Sequence, residues 1–157
     1  MSAYARRGRE CLHNLNYWRF GDYLGIGAGA HGKLSLPAGH PSAPDDARDA
    51  RGGTILRRWK SKHPTAWLAS AGSPAAIGGD EWLAPSRRPF DYMLNALRLV
   101  EGFSLDAFEA RTGLSREAIA PQLTEGIARG WLAAEGDRVR PTGLGRRFTN
   151  DVVALFL

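Results

Sequence analysis

The 157 residues, 43% apolar and 24% charged, suffice for one domain or a small domain with an accompanying piece, and no apolar run is long enough to span a bilayer. The single cysteine, Cys11, excludes a disulfide framework, a self-contained cysteine-ligated cluster and a four-cysteine zinc site, and it suits a reducing, cytoplasmic location. The net charge of +5 is lopsided: residues 1–88 carry 13 Lys and Arg against 7 Asp and Glu, a net of +6, whereas residues 89–157 carry 8 against 9, a net of −1.

Ser2-Ala3-Tyr4-Ala5 reads as the end of a strand without its beginning, so the chain is expected to be a piece of something larger. A polar loop, Arg6 to Leu12, leads into the stretch densest in chemically specific residues, His13-Asn14-Leu15-Asn16-Tyr17-Trp18-Arg19-Phe20. Asn16 to Phe20 reads as a helical turn or irregular, and Asp22 to Ile26 as a short buried strand that ends in Gly27-Ala28-Gly29-Ala30-His31-Gly32. That run matches G-x-G-x-x-G. A dinucleotide loop needs a helix to start inside the motif, and Pro37, Gly39 and Pro41 do not build one, so that reading is rejected. A polar, aromatic segment feeding a glycine-ended strand marks either the edge of a pocket or a buried aromatic cluster with a tight turn.

Lys33 to Leu36 and Thr54 to Trp59 read as the arms of a hairpin, joined by a mobile Pro/Ala/Asp-rich excursion over residues 37–53. Pro64 opens a short helix to Ser70 with Trp67 and Leu68 as its apolar face, and residues 71–88 read as a linker. From Pro89 the apolar spacing turns helical, through Phe90, Met93, Leu94, Leu97 and Val100. Ser104 is expected to cap a second helix that stops at Thr112-Gly113, and Ser115 a third, bent or started late by Pro121 and closed by Gly130. Trp131 to Arg140 reads as a hairpin on a type I′ turn at Gly136-Asp137, and Thr142 caps a last helix. Helix, helix-turn-helix, hairpin and helix make a winged-helix-like unit. Its reading helix and wing have no net positive charge to hold phosphates, so a packing module is favoured over a DNA-binding one, and no nucleic-acid partner is expected.

Three stretches, Tyr4-Ala5-x-x-Gly8, His13-Asn14-x-x-Tyr17-Trp18 and Asp22 to Gly32, resemble the closing part of the radical-SAM heme chaperone family HemW, a group also described as oxygen-independent coproporphyrinogen III oxidase-like. Lys62-His63-Pro64, Glu101-Gly102-Phe103, Arg111-Thr112-Gly113-Leu114 and Pro141-Thr142-x-x-Gly145-x-Arg147-Phe148-x-Asn150-Asp151 agree with it, so the resemblance covers nearly the whole chain. Arg7 stands where the family form of the first motif has proline, and the 37–53 loop looks longer than usual. The resemblance implies an α+β chain: residues 1–36 close a partial TIM-like radical-SAM barrel, residues 37–88 form a loop, strand and linker region, and residues 89–157 form the C-terminal domain. The family's C-x₃-C-x₂-C motif for a [4Fe–4S] cluster is absent.

The implied longer protein binds the [4Fe–4S] cluster, S-adenosylmethionine and heme. Its partners are the missing N-terminal barrel and heme-receiving proteins, with peripheral membrane contact and no transmembrane segment. This chain by itself is expected to hold no cofactor firmly and to be catalytically inactive. On the resemblance, His13 is the candidate heme-iron ligand, with Tyr17 and Trp18 as aromatic walls, while Gly27, Gly29 and Ala30 leave room for S-adenosylmethionine. The alternative for His13 is a buried, hydrogen-bonded histidine, and for the glycines close backbone packing. Coproporphyrinogen III oxidation by the parent enzyme and a winged-helix DNA-binding module are the competing functions.

Overall fold

A computed structural model describes residues 4–6 and 8–157. The fold is α+β, with two three-stranded antiparallel sheets and seven α-helices among the described residues. The chain divides into two compact units, one made of residues 1–21 and 85–157 and the other of residues 22–84. Every pairing between named strands is antiparallel, so no barrel is shown. Ser2 and Ala3, part of the expected opening strand end, lie outside the described residues, and Tyr4 and Ala5 have no regular structure.

In the unit of residues 22–84, β1 (His31–Leu36) pairs with β2 (Thr54–Lys60), from His31 opposite Trp59 to Leu36 opposite Thr54, as the hairpin reading expects. A third strand, β3 (Ile77–Trp82), lies on the far side of β2, inside the stretch read as linker. Its Gly78-Gly79 pair belongs to the glycines and prolines on which the linker reading rests. The glycines are instead required by packing, because a Cβ on Gly79 would lie 2.3 Å from Cζ2 of Trp59. The expected strand over Asp22 to Ile26 is reduced to one antiparallel bridge, Tyr23 to Lys33, with Leu24 and Ile26 at 73% and 87% exposure. Helix α2 (Pro64–Ser70) forms as expected behind Pro64, although Leu68 is exposed. The 37–53 excursion is pinned rather than loose. Arg48 donates to the carbonyls of His40 and Ala43 at 3.3 and 2.8 Å, Asp49 accepts from the amides of Arg51 and Gly53, and Ala43 and Ala47 are buried.

In the other unit, α1 (Leu12–Trp18) precedes α3 (Arg88–Ala96), β4 (Phe103–Ser104), α4 (Leu105–Thr112), α5 (Ala120–Ala128), the β5–β6 hairpin (Leu132–Glu135 and Arg138–Pro141), α6 (Gly143–Arg147) and α7 (Thr149–Ala154). The sheet order is β4-β6-β5. The expected caps form. Ser104 accepts from the Ala107 amide and Thr142 from the Gly145 amide, both at 3.0 Å, and Ser115 accepts from Glu117. Pro121 does delay its helix, which starts at Ala120 after a 3-10 turn over Arg116–Ile119. The hairpin turn differs from the expectation. Only Gly136 has positive φ, the sign pattern of a type II′ turn rather than I′. The last helix is broken in two at Phe148. At the core, the buried Tyr92 ring meets Phe20, Phe103 and Phe108 at centroid distances of 5.5, 5.4 and 5.2 Å, and burial raises the pKa of its hydroxyl. Arg88, fully buried, donates to the carbonyl of Thr112 at 2.5 Å and so ties α3 to the end of α4.

Candidate functional site

The most distinctive stretch of the sequence forms helix α1, longer than the helical turn expected there, with no buried residue of its own. Helical spacing sorts its side chains onto two faces. His13 and Tyr17, four residues apart, meet edge to face with ring centroids 4.6 Å apart and planes at 84°, and His13 is exposed. Neither nitrogen of His13 has a hydrogen-bond partner among the described residues. The buried, hydrogen-bonded alternative for this side chain is therefore not what is seen. Cys11, Asn14, Leu15 and Trp18 lie on the other face and line a cavity of about 620 Å³. Thus the structure brings His13 together with Tyr17 and turns Trp18 to a different face of the helix. Trp18 also borders a second cavity of about 550 Å³, shared with Arg19, Tyr92, Phe103, Arg111 and Arg138.

The end of α1 is fixed locally. The Phe20 amide donates to Tyr17 and the Gly21 amide to Asn16, at 2.9 and 2.8 Å, and Phe20 takes φ 56 so that its ring reaches Tyr92. A Cβ on Gly21 would fall 2.0 Å from Oδ1 of Asn16.

The glycine run divides in its roles. Gly25 is packed against backbone, since a Cβ there would lie 2.4 Å from the His31 carbonyl oxygen. Gly27, at φ +106, has open space where a Cβ would stand, and it borders a cavity of about 490 Å³ with Ile26, Lys60, Trp67 and Ile77. Gly29 donates its amide to Ser61 at 2.8 Å and Ala30 accepts from the Lys60 amide at 2.9 Å, and neither lines that cavity. His31 stacks on Trp59, with centroids 6.2 Å apart.

No group of three or more His, Cys, Asp or Glu is placed to hold a metal ion among the described residues. No helix among them is long and apolar enough to cross a membrane. Around α4 and α5 two of the cations are engaged. Arg116 pairs with Asp106, Glu109 and Asp137 at 2.5, 3.2 and 3.5 Å, which raises its pKa, and Arg129 pairs with Glu125 and covers the Trp131 ring at 4.8 Å. Of the arginines that line the α1 cavity, Arg98, Arg146 and Arg147, only Arg147 falls in a motif singled out in the sequence, and none reads there as a site residue. Arg98 lies almost fifty residues before the adjacent Arg146 and Arg147, and only folding brings it to them.

The HemN C-terminal domain family matches residues 83–148. The chain is 39% identical over 156 residues to the heme chaperone HemW of Escherichia coli (strain K12), covering 99% of this chain and 36% of that protein. It is 38% identical over 156 residues to HemW of Haemophilus influenzae, again covering 99% and 36%. A more distant relative is the mitochondrial radical S-adenosyl methionine domain-containing protein 1 of Dictyostelium discoideum, 27% identical over 168 residues and covering 99% and 36%. The chain therefore spans about a third of the length of these curated relatives. No solved structure matches it.

Proposed function

Because this chain belongs to the HemW family of heme chaperones, and corresponds to its C-terminal part, we propose that it contributes a heme contact to a cytoplasmic protein that binds heme and passes it to acceptor proteins. The observation that supports this is the state of His13. Its imidazole is exposed on α1, neither ring nitrogen is engaged among the described residues, and Tyr17 backs it edge to face. An imidazole of this kind offers an axial nitrogen to heme iron, and the flanking ring restricts its orientation. Tyr17 and Trp18 supply aromatic surface on the two sides of the helix.

In the longer protein, residues 1–36 close a radical-SAM barrel, residues 37–88 form the strand and loop region, and residues 89–157 form a winged-helix-like packing module. Gly27 gives backbone room for S-adenosylmethionine, with Gly29 and Ala30 shaping the turn beside it. The single cysteine does not fit a [4Fe–4S] cluster, so no step through a cluster belongs to this chain.

A heme titration tests this reading. His13→Ala is expected to shift the Soret band and weaken binding at least about tenfold, since the iron–nitrogen bond is the main specific contact. His40→Ala and His63→Ala, which lie in the other compact unit, are expected to bind as the unaltered protein does. An unchanged spectrum and affinity in His13→Ala overturns the proposal.

A further inference from the structure

The larger cavity beside α1 is not accounted for by a heme ligand on the His13 face, because it opens on the opposite side of that helix. Its wall has two chemistries. Leu15, Trp18 and Val100 give it an apolar side, and Val100 remains 57% exposed. Arg98, Arg146 and Arg147 give it a cationic side. Arg146 and Arg147 have no acidic partner among the described residues, and Arg98 uses its Nε on the Leu94 carbonyl at 3.0 Å. Two carboxylates, Glu10 and Glu101, also border the cavity, so the lining carries three positive and two negative groups, a net of +1. At about 620 Å³ the space falls within the range of small-molecule sites, roughly 300–1,000 Å³.

We propose that this cavity binds an apolar carboxylate, its body on Leu15, Trp18 and Val100 and its carboxylate on the guanidinium groups of Arg146 and Arg147. The excess of guanidinium groups over carboxylates in the lining favours an anionic end group on an otherwise apolar ligand. Arginine forks suit a carboxylate through paired, charge-assisted hydrogen bonds. An indole face suits a flat ring or an acyl chain. A porphyrin with propionate side chains and a long-chain fatty acid share this chemistry.

The test is a titration of the 157-residue chain with protoporphyrin IX and, separately, with laurate. Protoporphyrin IX has carboxylates but no iron, so iron ligation by His13 plays no part in the result. Etioporphyrin, a similar ring without carboxylates, is the control ligand. At least one of the two carboxylates is expected to bind, and the double variant Arg146→Ala/Arg147→Ala to bind it at least about tenfold more weakly, a loss of about 1.4 kcal/mol or more. Etioporphyrin is expected to respond equally to both proteins, and Arg146→Lys/Arg147→Lys to retain most of the affinity. Arginine dependence with protoporphyrin alone identifies the porphyrin source, and with laurate alone the acyl source. Matching circular-dichroism melting curves establish that the variants are folded. The proposal is overturned if neither carboxylate binds the unaltered chain, or if the folded alanine variant binds both as tightly.

Discussion

Lys33, only 2% exposed, places its ammonium 2.8 Å from the carboxylate of Asp22. Asp22 also accepts from the amide and hydroxyl of Ser35, at 2.9 and 2.8 Å, so one carboxylate fastens the start of the 22–84 unit to β1. Partial burial pushes the Asp22 pKa up, and the hydrogen bonds and charge of Lys33 and Ser35 outweigh it, leaving the carboxyl below its ordinary value. A group with a lowered folded pKa contributes stability above its unfolded pKa and loses it as the pH falls through the folded one. Asp22→Asn is expected to destabilise the protein at pH 7 by about 1–2 kcal/mol, less than for a fully buried pair because Asp22 is partly solvated. The difference from the unaltered protein should shrink once the pH falls below the ordinary aspartate range. Urea unfolding followed by tryptophan fluorescence at neutral and acidic pH measures both, and an equal difference at both would refute the assignment.

Gly102 is under a second, purely steric constraint. At φ +68 it follows the turn after α3, and a Cβ there would lie 1.9 Å from the carbonyl oxygen of Val139 in β6. Gly130 has nearly the same φ, +69, with nothing within 4 Å. Gly130→Ala is therefore expected to cost about 1–2 kcal/mol, from the left-handed backbone alone. Gly102→Ala should cost more, about 3 kcal/mol or above, because the β4–β6 pairing must move as well. Thermal melts of the two variants decide it, and equal losses would mean that β6 yields freely.

The helical unit should not act as a DNA reader, despite its helix-turn-helix and hairpin. Residues 89–157 have 8 basic against 9 acidic residues, and Arg116 and Arg129 are both held by carboxylates. Any binding of duplex DNA by the whole chain is expected to arise from the basic first part, and to vanish between about 50 and 200 mM salt. Gln122→Ala, Arg129→Ala and Arg140→Ala should leave it unchanged in a gel shift. Salt-resistant binding that these substitutions abolish would restore the DNA-reading function.

Cluster chemistry is expected to be absent from the purified chain. With Cys11 alone to offer thiolate, anaerobic incubation with iron and sulfide should leave it without stoichiometric cluster, and S-adenosylmethionine should remain uncleaved. Retained iron and sulfide, or released 5′-deoxyadenosine, would contradict this.

The sequence by itself determined whatever depends on a few neighbouring residues. Ser104 and Thr142 cap helices because a hydroxyl reaches an amide three positions on. Thr54 to Trp59 pairs with the strand before it because a short run rich in β-branched, apolar and aromatic residues, bounded by Gly52 and Gly53, favours a strand there. The family was legible for the same reason, since His13, Asn14, Tyr17 and Trp18 keep their motif spacing in any conformation. Only the tertiary structure decided what depends on distant partners. The Gly78-Gly79 pair looks like a break until Trp59, some twenty residues earlier, fills the space that the missing side chains leave. Asp22 to Ile26 looks like a strand until Asp22 is drawn to Lys33 and Ser35, and only Tyr23 bridges to Lys33. The α1 motif looks like one aromatic cluster until helical rotation separates His13 and Tyr17 from Trp18, which folding then sets in one cavity with Arg98, Arg146 and Arg147.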